Sequence, residues 1–186
     1  MTTIKTYRLL GVDPGSNVMG FAVIEVHKKQ AKVLEMGAIS MEYLKEHTLK
    51  LKMIFEELEL LIKKYEPTEM AIEAPFYGKN VQSMLKLGRA QGVAMAAAMT
   101  NNVEVTEYSP KKIKQSVTGN GNASKEQVAA MLETILKVKI DDTYLDATDA
   151  LATAICHFFQ SNSAIGGKKK YKDWGSFLKD NPERKG

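Results

Sequence analysis

The sequence predicts an α/β domain on one five-stranded mixed sheet, three antiparallel strands then two parallel ones, with helices flanking both faces. Three observations lead there. Short runs rich in Val, Ile and Phe crowd the first forty residues, separated by turn signals. Beyond His47, stretches of helical periodicity alternate with single short strands. The 186 residues fit one such domain with a core of its own and show neither an internal repeat nor a second domain.

Taken in order, Tyr7 to Asp13 is a short apolar run that stops at the turn residues Asp13-Pro14-Gly15-Ser16. Val18 to His27 and Ala31 to Ile39 are strands broken by the polar Lys28–Gln30, which completes an antiparallel meander. From about His47 to Tyr65, Leu51, Ile54, Leu58, Leu61 and Ile62 recur at helical spacing between Lys and Glu, and Pro67 ends the helix. Glu69 to Glu73 is a short buried strand. A second helix, about Asn80 to Met99, is rich in Ala and Met, which predicts burial on several sides. Val103 to Tyr108 is the fifth strand, and Pro110 opens a short basic helix. After Gly119-Asn120-Gly121, Ser124 and Gln127 form a capping box that starts a helix running to about Lys137. The last helix runs from about Leu145 to Phe159. From Ser161 the composition turns to Ser, Gly, Lys, Asp and Asn, so residues 1–160 are expected to be the folded domain and 161–186 a flexible basic tail.

Composition excludes several classes. The longest apolar stretch, Gly92 to Met99, is too short to span a bilayer, and the N-terminus lacks the apolar segment of a secretory signal. A single cysteine, Cys156, allows no internal disulfide and suits a reducing cytoplasm. The net charge of +4 resides wholly in residues 161–186, whose seven Lys/Arg face three Asp/Glu; residues 1–160 hold 19 of each sign. A nucleic-acid surface on the folded part must therefore be a local patch.

Four carboxylates stand out by position. Asp13 ends the first strand, Glu73 ends the fourth, and Asp146 and Asp149 share one face at the start of the last helix. Ligands in open sheets gather beyond the carboxyl ends of strands. Acids clustered without arginine repel strongly unless a cation holds them, and oxygen ligands without His or Cys favour Mg²⁺ or Mn²⁺. Ordinary roles compete: Asp13 as a turn residue, Asp146 and Asp149 as capping and first-turn acids. Glu107, near another strand end, is a reserve candidate.

The order of motifs carries more weight. Gly11-Val12-Asp13-Pro14-Gly15-Ser16 with Gly20 and Ala22-Val23-Ile24 resembles the opening of the RuvC family of junction resolvases, within the ribonuclease H-like superfamily. Ala71-Ile72-Glu73 with Phe76, Lys79 and Asn80, then Leu85-Lys86-Leu87-Gly88, resembles the family's second motif. Lys114-Gln115, Val117, Gly119, Gly121 and Lys125 follow, and Leu145 to Ala152 with His157 resembles the closing motif. The resemblance covers residues 7–160 and implies a ribonuclease H-like fold. It implies an acidic tetrad of Asp13, Glu73, Asp146 and Asp149, two Mg²⁺ ions (with Mn²⁺ as substitute), and phosphodiester hydrolysis leaving 5′-phosphate and 3′-hydroxyl ends. The implied substrate is the four-way (Holliday) DNA junction of recombination and repair, cut by a homodimer working with the RuvA–RuvB branch-migration complex. A two-fold symmetric junction needs a symmetric enzyme, with the Ala-rich second helix as the expected interface.

Candidate DNA contacts surround these acids. Phe76 and Tyr77 follow Glu73 in a loop where an aromatic could wedge into a junction or plug the loop from beneath; the resemblance favours Phe76. Lys79, Lys86 and Arg89 recur near helical spacing, Lys111, Lys112 and Lys114 cluster on the short basic helix, and Asn80 belongs to the second motif. These cations are either solvated or phosphate contacts. Lys125, at a helix start after Gly-Asn-Gly, has the best individual case. In Gly88-Arg89-Ala90-Gln91-Gly92 the family more often has arginine at the Gln91 position, which leaves open which side chain meets DNA or the partner subunit. His157 lies about 16 Å along the helix from Asp146 and reads as packing or interface. Two other functions compete. An actin-like ATPase or sugar kinase shares the Asp-x-Gly-Ser turn but needs two such domains. A non-catalytic DNA binder has no use for clustered negative charge.

Overall fold

β1 (Tyr7–Asp13), β2 (Val18–His27) and β3 (Gln30–Ser40) form an antiparallel meander in the computed structural model, which describes residues 6–75, 80–140 and 145–165. α1 (His47–Tyr65) crosses to β4 (Glu69–Glu73), which pairs parallel to β1. α2 (Val81–Thr100) crosses to β5 (Glu104–Tyr108), parallel to β4. α3 (Pro110–Thr118), α4 (Lys125–Leu136) and α5 (Leu145–Ile165) complete the chain, and the sheet order is β3-β2-β1-β4-β5. Both the mixed sheet and the helices on its two faces are as the sequence predicts.

Strand alternation sorts the core into two layers. Leu10, Val12, Met19, Phe21, Val23, Met70 and Ile72 point to the face covered by α1 and α2. Leu9, Ala22, Ile24, Val26 and Ala71 point to the face covered by α3, α4 and α5. The same period places Asp13 and Glu73, each next to a residue of the first layer, on the α5 face. Glu107 pairs with Ile72 across the parallel ladder, so it points to the opposite face, toward α2.

Local chemistry sets the element ends. Glu66 turns left-handed (φ 47°) and its N–H closes α1 on the Ile62 carbonyl at 2.7 Å, ahead of Pro67. Ser109 caps α3, which ends at left-handed Gly119, and the Ser124/Gln127 capping box opens α4. α5 is longer than its sequence pattern suggests. It continues from Phe159 to Ile165, with the Asn162 amide donating to the Phe158 carbonyl at 2.8 Å, so helix occupies the first five residues of the expected tail. Residues 166–186 lie outside the described residues. Among the described residues no helix is long and apolar enough to cross a membrane.

Candidate active site

Two glycines bring the acids together. Gly20 pairs with Asp13 across the β1–β2 ladder. A Cβ on Gly20 would stand 2.0 Å from the Asp146 carbonyl oxygen, and one on Gly11 would stand 2.3 Å from that of Ala150. The backbone of α5 therefore rests directly on the sheet, its contact face made of the fully buried Ala147, Ala150 and Ala154. That close approach sets the first turn of α5 beside the carboxyl ends of β1 and β4. Asp13, Glu73 and Asp149 line one cleft of about 410 Å³ together with Lys114 and Lys125. Asp146 stands close enough to act on Asp13 electrostatically.

The electrostatics are those of acids crowded into a partly dry corner. Burial, then repulsion from Glu73, Asp149 and Asp146, pushes the Asp13 carboxyl up to about 8, against some relief from Lys125. Burial and Asp149 push Glu73 up to about 7, with Lys125 and Lys114 opposing. Lys125 Nζ lies 2.5 Å from Asp149 Oδ2, and that bond raises the lysine's own pKa. An ammonium thus stands as counter-charge among the carboxylates.

Whether the donor set fits a metal turns on its chemistry. Among the described residues, no three His, Cys, Asp or Glu side chains already converge closely enough to ligate one ion. Yet two carboxylates held well above their ordinary range by burial and by neighbouring acids, beside a third paired to an ammonium, are starved of cationic charge. Four hard oxygen donors with no nitrogen or sulfur ligand suit Mg²⁺ or Mn²⁺.

The other sequence candidates separate. Lys114, on α3, and Lys125, at the start of α4, reach the cleft. Lys111 instead lies along Gly121, and neither it nor Lys112 lines the cleft. Lys86 and Arg89 project from α2 on the far side of the sheet and depress the His47 pKa together with Lys50, after the larger effect of burial. Asn80 caps α2, its Oδ1 accepting the Ser83 N–H at 3.1 Å. Phe76, Tyr77 and Lys79 lie outside the described residues. Gln91 is 7% exposed and donates to Glu107 Oε2 at 2.7 Å, so of the Arg89/Gln91 pair only Arg89 faces outward. The same bond removes Glu107 as a metal candidate, because its carboxylate is engaged on the α2 face.

Three features escaped sequence reasoning. Gly20 was legible as a motif residue, but its contact with Asp146 spans more than a hundred residues. Lys50 Nζ bonds Asn17 Oδ1 at 2.6 Å, close after the Asp13 turn, with no local pattern to announce it. His157, read as packing or interface, is buried and bonded through both ring nitrogens, to Tyr108 and Glu69.

A family model described as crossover junction endodeoxyribonuclease RuvC matches residues 9–157. A protein of that name from Cytophaga hutchinsonii is 56% identical over 176 residues, covering 95% of this chain and 86% of the relative. Another from Christiangramia forsetii is 53% identical over 184 residues, covering 98% and 95%. Among solved structures, Thermus thermophilus RuvC in complex with Holliday junction substrate superposes with a TM-score of 0.79 at 28% identity, covering 85% of this chain and 96% of that one.

Proposed function

Since the chain belongs to the RuvC crossover junction endodeoxyribonuclease family, we infer that it resolves four-way DNA junctions by paired symmetric nicks in recombination and repair. The observation that carries this reading is the convergence of Asp13, Glu73 and Asp149, with Asp146 adjacent, in a cleft whose only other charged lining among the described residues is Lys114 and Lys125. Those four acids are the holders of divalent cations, two Mg²⁺ or, in substitution, Mn²⁺. When bound, the cations supply Lewis acidity to a water and charge compensation to the leaving 3′ oxygen.

The chain's own groups account for the rest. Asp13 and Glu73 hold protons near neutrality and release them as cationic charge arrives, so the site accepts cations better in mild base. Lys125 exchanges Asp149 for a phosphate oxygen when DNA enters, and Lys114 approaches the same cleft from α3. Both fix the backbone without reading bases. Lys86, Arg89, Lys111 and Lys112, set away from the acids, are proposed contacts for phosphates of the junction arms. Asn80 caps the start of α2, and Phe76, Tyr77 and Lys79 are the proposed junction-facing residues.

A symmetric substrate calls for a homodimer, and α2 offers a face for it. Val81, Leu85 and Met99 are 66%, 51% and 58% exposed. They recur with Gly88 and Gly92 at helical spacing, and a Cβ on either glycine would meet nothing within 4 Å. Small residues on an open helix face permit close approach of a second copy. The family relationship supports action alongside the RuvA–RuvB branch-migration complex, and residues 166–186 are proposed as a basic appendage to the nuclease domain.

The deciding experiment is nicking of an end-labelled four-way junction against linear duplex of the same sequence, in Mg²⁺. Paired, symmetry-related nicks on the junction alone are expected, with ligatable 5′-phosphate ends. Junction binding with no cleavage in Mg²⁺ or Mn²⁺ across several junction sequences would overturn the reading in favour of a non-catalytic binder.

A further inference from the structure

α5 brings two acids to the cleft at its start and a buried imidazole to the sheet three turns later. His157 is 8% exposed. Its Nδ1 lies 2.8 Å from the Tyr108 hydroxyl and its Nε2 lies 2.9 Å from Glu69 Oε2. The Tyr108 and His157 rings meet edge-on, their centroids 5.7 Å apart. Glu69 opens β4 and Tyr108 closes β5, so one imidazole ties α5 to both strands. A neutral ring satisfies all three groups at once: Nε2–H donates to the carboxylate, and Nδ1 accepts the phenol proton. Burial, Cys156 and Glu69 push the Tyr108 phenol up to about 12, which keeps it a donor.

The Tyr108 arm leads to the site. Tyr108 is the cross-strand neighbour of Glu73, and its carbonyl accepts the Ala74 N–H at 2.8 Å, fixing the backbone beside that glutamate. Tyr108 also directly precedes Ser109, the cap of the helix that carries Lys114. β5 is an edge strand with a ladder on one side only. A side-chain bond to α5 therefore adds to the packing of α3 on that helix in fixing the height of its last residue. The Glu69 arm ends at the opposite end of β4, four residues from Glu73, and has no such connection.

We propose that His157 is a positioning residue for cation binding: by holding the Tyr108 hydroxyl to α5, it sets the separation between Asp146 and Asp149 on α5 and Glu73 on β4. The proposal rests on the nuclease reading for its consequence in catalysis, and cation binding itself is measured apart from activity.

The two arms can be cut separately. His157→Asn places an amide near the Nδ1 position and retains the Tyr108 bond; His157→Gln reaches toward Nε2 and retains the Glu69 bond. Tyr108→Phe removes the hydroxyl alone, and Glu69→Gln removes the charge of the other arm. Mn²⁺ binding to the free protein at pH 8, followed by electron paramagnetic resonance, reads the site without DNA. Loss of a bond that supports a ligand-bearing element is expected to weaken binding by about tenfold. His157→Gln and Tyr108→Phe should show that loss, while His157→Asn and Glu69→Gln stay within about threefold of wild type, although variants on both arms lower the melting temperature. In nicking assays the Mg²⁺ concentration for half-maximal rate should rise by the same factor, with the maximal rate retained. A purely structural role predicts affinity falling in step with melting temperature in all four variants, and that result overturns the proposal. So does unchanged Mn²⁺ affinity in Tyr108→Phe, or no Mn²⁺ binding by wild type. A split between the arms in a protein that nicks no junction would instead contradict the nuclease reading and leave the positioning role standing.

Discussion

The packing of α1 on the sheet differs in kind from the crossing of α5 over β1 and β2. Toward α1 and α2, Leu10, Met19, Ile54, Leu58, Met70 and Ile72 are all fully buried, and bulky side chains keep the helices at a distance from the strands. Where the first turns of α5 cross the sheet the residues that meet are Gly11, Gly20, Ala147, Ala150 and Ala154, and backbone rests against backbone, while Leu9, Ile24, Leu151 and Ile155 fill the layer around that crossing. The first arrangement stabilises by apolar area and tolerates small shifts. The second gives up area for placement: it fixes where Asp146 and Asp149 stand relative to Asp13 and Glu73. The difference teaches that apolar side chains stabilise both layers, while the site is placed where backbone meets backbone.

Substitution should break that division most sharply at Gly20. A methyl there meets the Asp146 carbonyl, which cannot move without moving α5, so Gly20→Ala should cost about 3 kcal/mol or more in urea unfolding. It should also lower junction nicking at least about a hundredfold where the protein remains folded, since small misplacements of catalytic groups cost that much. Leu58→Ala, on the other face, should cost about 2–5 kcal/mol while the rate per folded molecule stays within about twofold. A Gly20→Ala variant that nicks normally would remove the basis of the comparison.

A smaller effect, opposite in sign, follows from crowding the acids. Folded Asp13 titrates near 8, well above an ordinary carboxylate, so between about pH 4 and 8 the folded chain holds a proton that the unfolded chain has lost. This group's contribution to stability therefore falls as pH rises through that window. Asp13→Asn does not titrate, and in chelator it should be more stable than wild type at pH 8.5, by about 1–3 kcal/mol after allowance for solvent screening. The gap should close toward pH 4. Equal stabilities at both pH values would show that the acids are not crowded. Cation binding inverts the same linkage: Mn²⁺ affinity should rise by up to about a hundredfold per pH unit near pH 6 and less steeply toward pH 8, as Asp13 and Glu73 both give up protons. A flat profile would mean that neither acid is a ligand.

The mildest expected change lies on the α1/α2 side. Leu85→Glu, on the exposed stripe of α2, should leave the melting temperature within a few degrees yet raise the dimer dissociation constant at least tenfold by sedimentation. An unaltered dissociation constant would overturn α2 as the proposed dimer face.

How much of this was legible in the sequence depends on the range of the contact. The strands and α1 were readable because period-two and helical spacing are local, as were the Ser124/Gln127 capping box and the helix-opening Pro110. Asp13, Glu73, Asp146 and Asp149 were readable as strand-end and helix-start acids, and the ordered motifs pointed to their meeting. Their meeting depends on Gly20 lying against Asp146, a contact no local pattern encodes. The Arg89/Gln91 question also needed the fold, because only the Ile72–Glu107 register shows why a glutamine points inward to Glu107. Lys111, Lys112 and Lys114 look alike in sequence, and the rotation of α3 alone selects Lys114 for the cleft. The extension of α5 to Ile165 was missed because Gln160-Ser161-Asn162-Ser163 reads as a helix end, while the helix in fact continues through it.

The most direct test of the central claim, that the acids gathered by the close packing of α5 are the nuclease centre, is single-turnover nicking of a four-way junction by Asp13→Asn, Glu73→Gln, Asp146→Asn and Asp149→Asn. Junction binding in chelator is measured in parallel. Each variant is expected to lose at least about a thousandfold in rate, as loss of a metal-holding catalytic group does, and to bind the junction within about fivefold of wild type. Any one of the four cleaving within tenfold of the wild-type rate would contradict its place in that centre, and all four doing so would contradict the account.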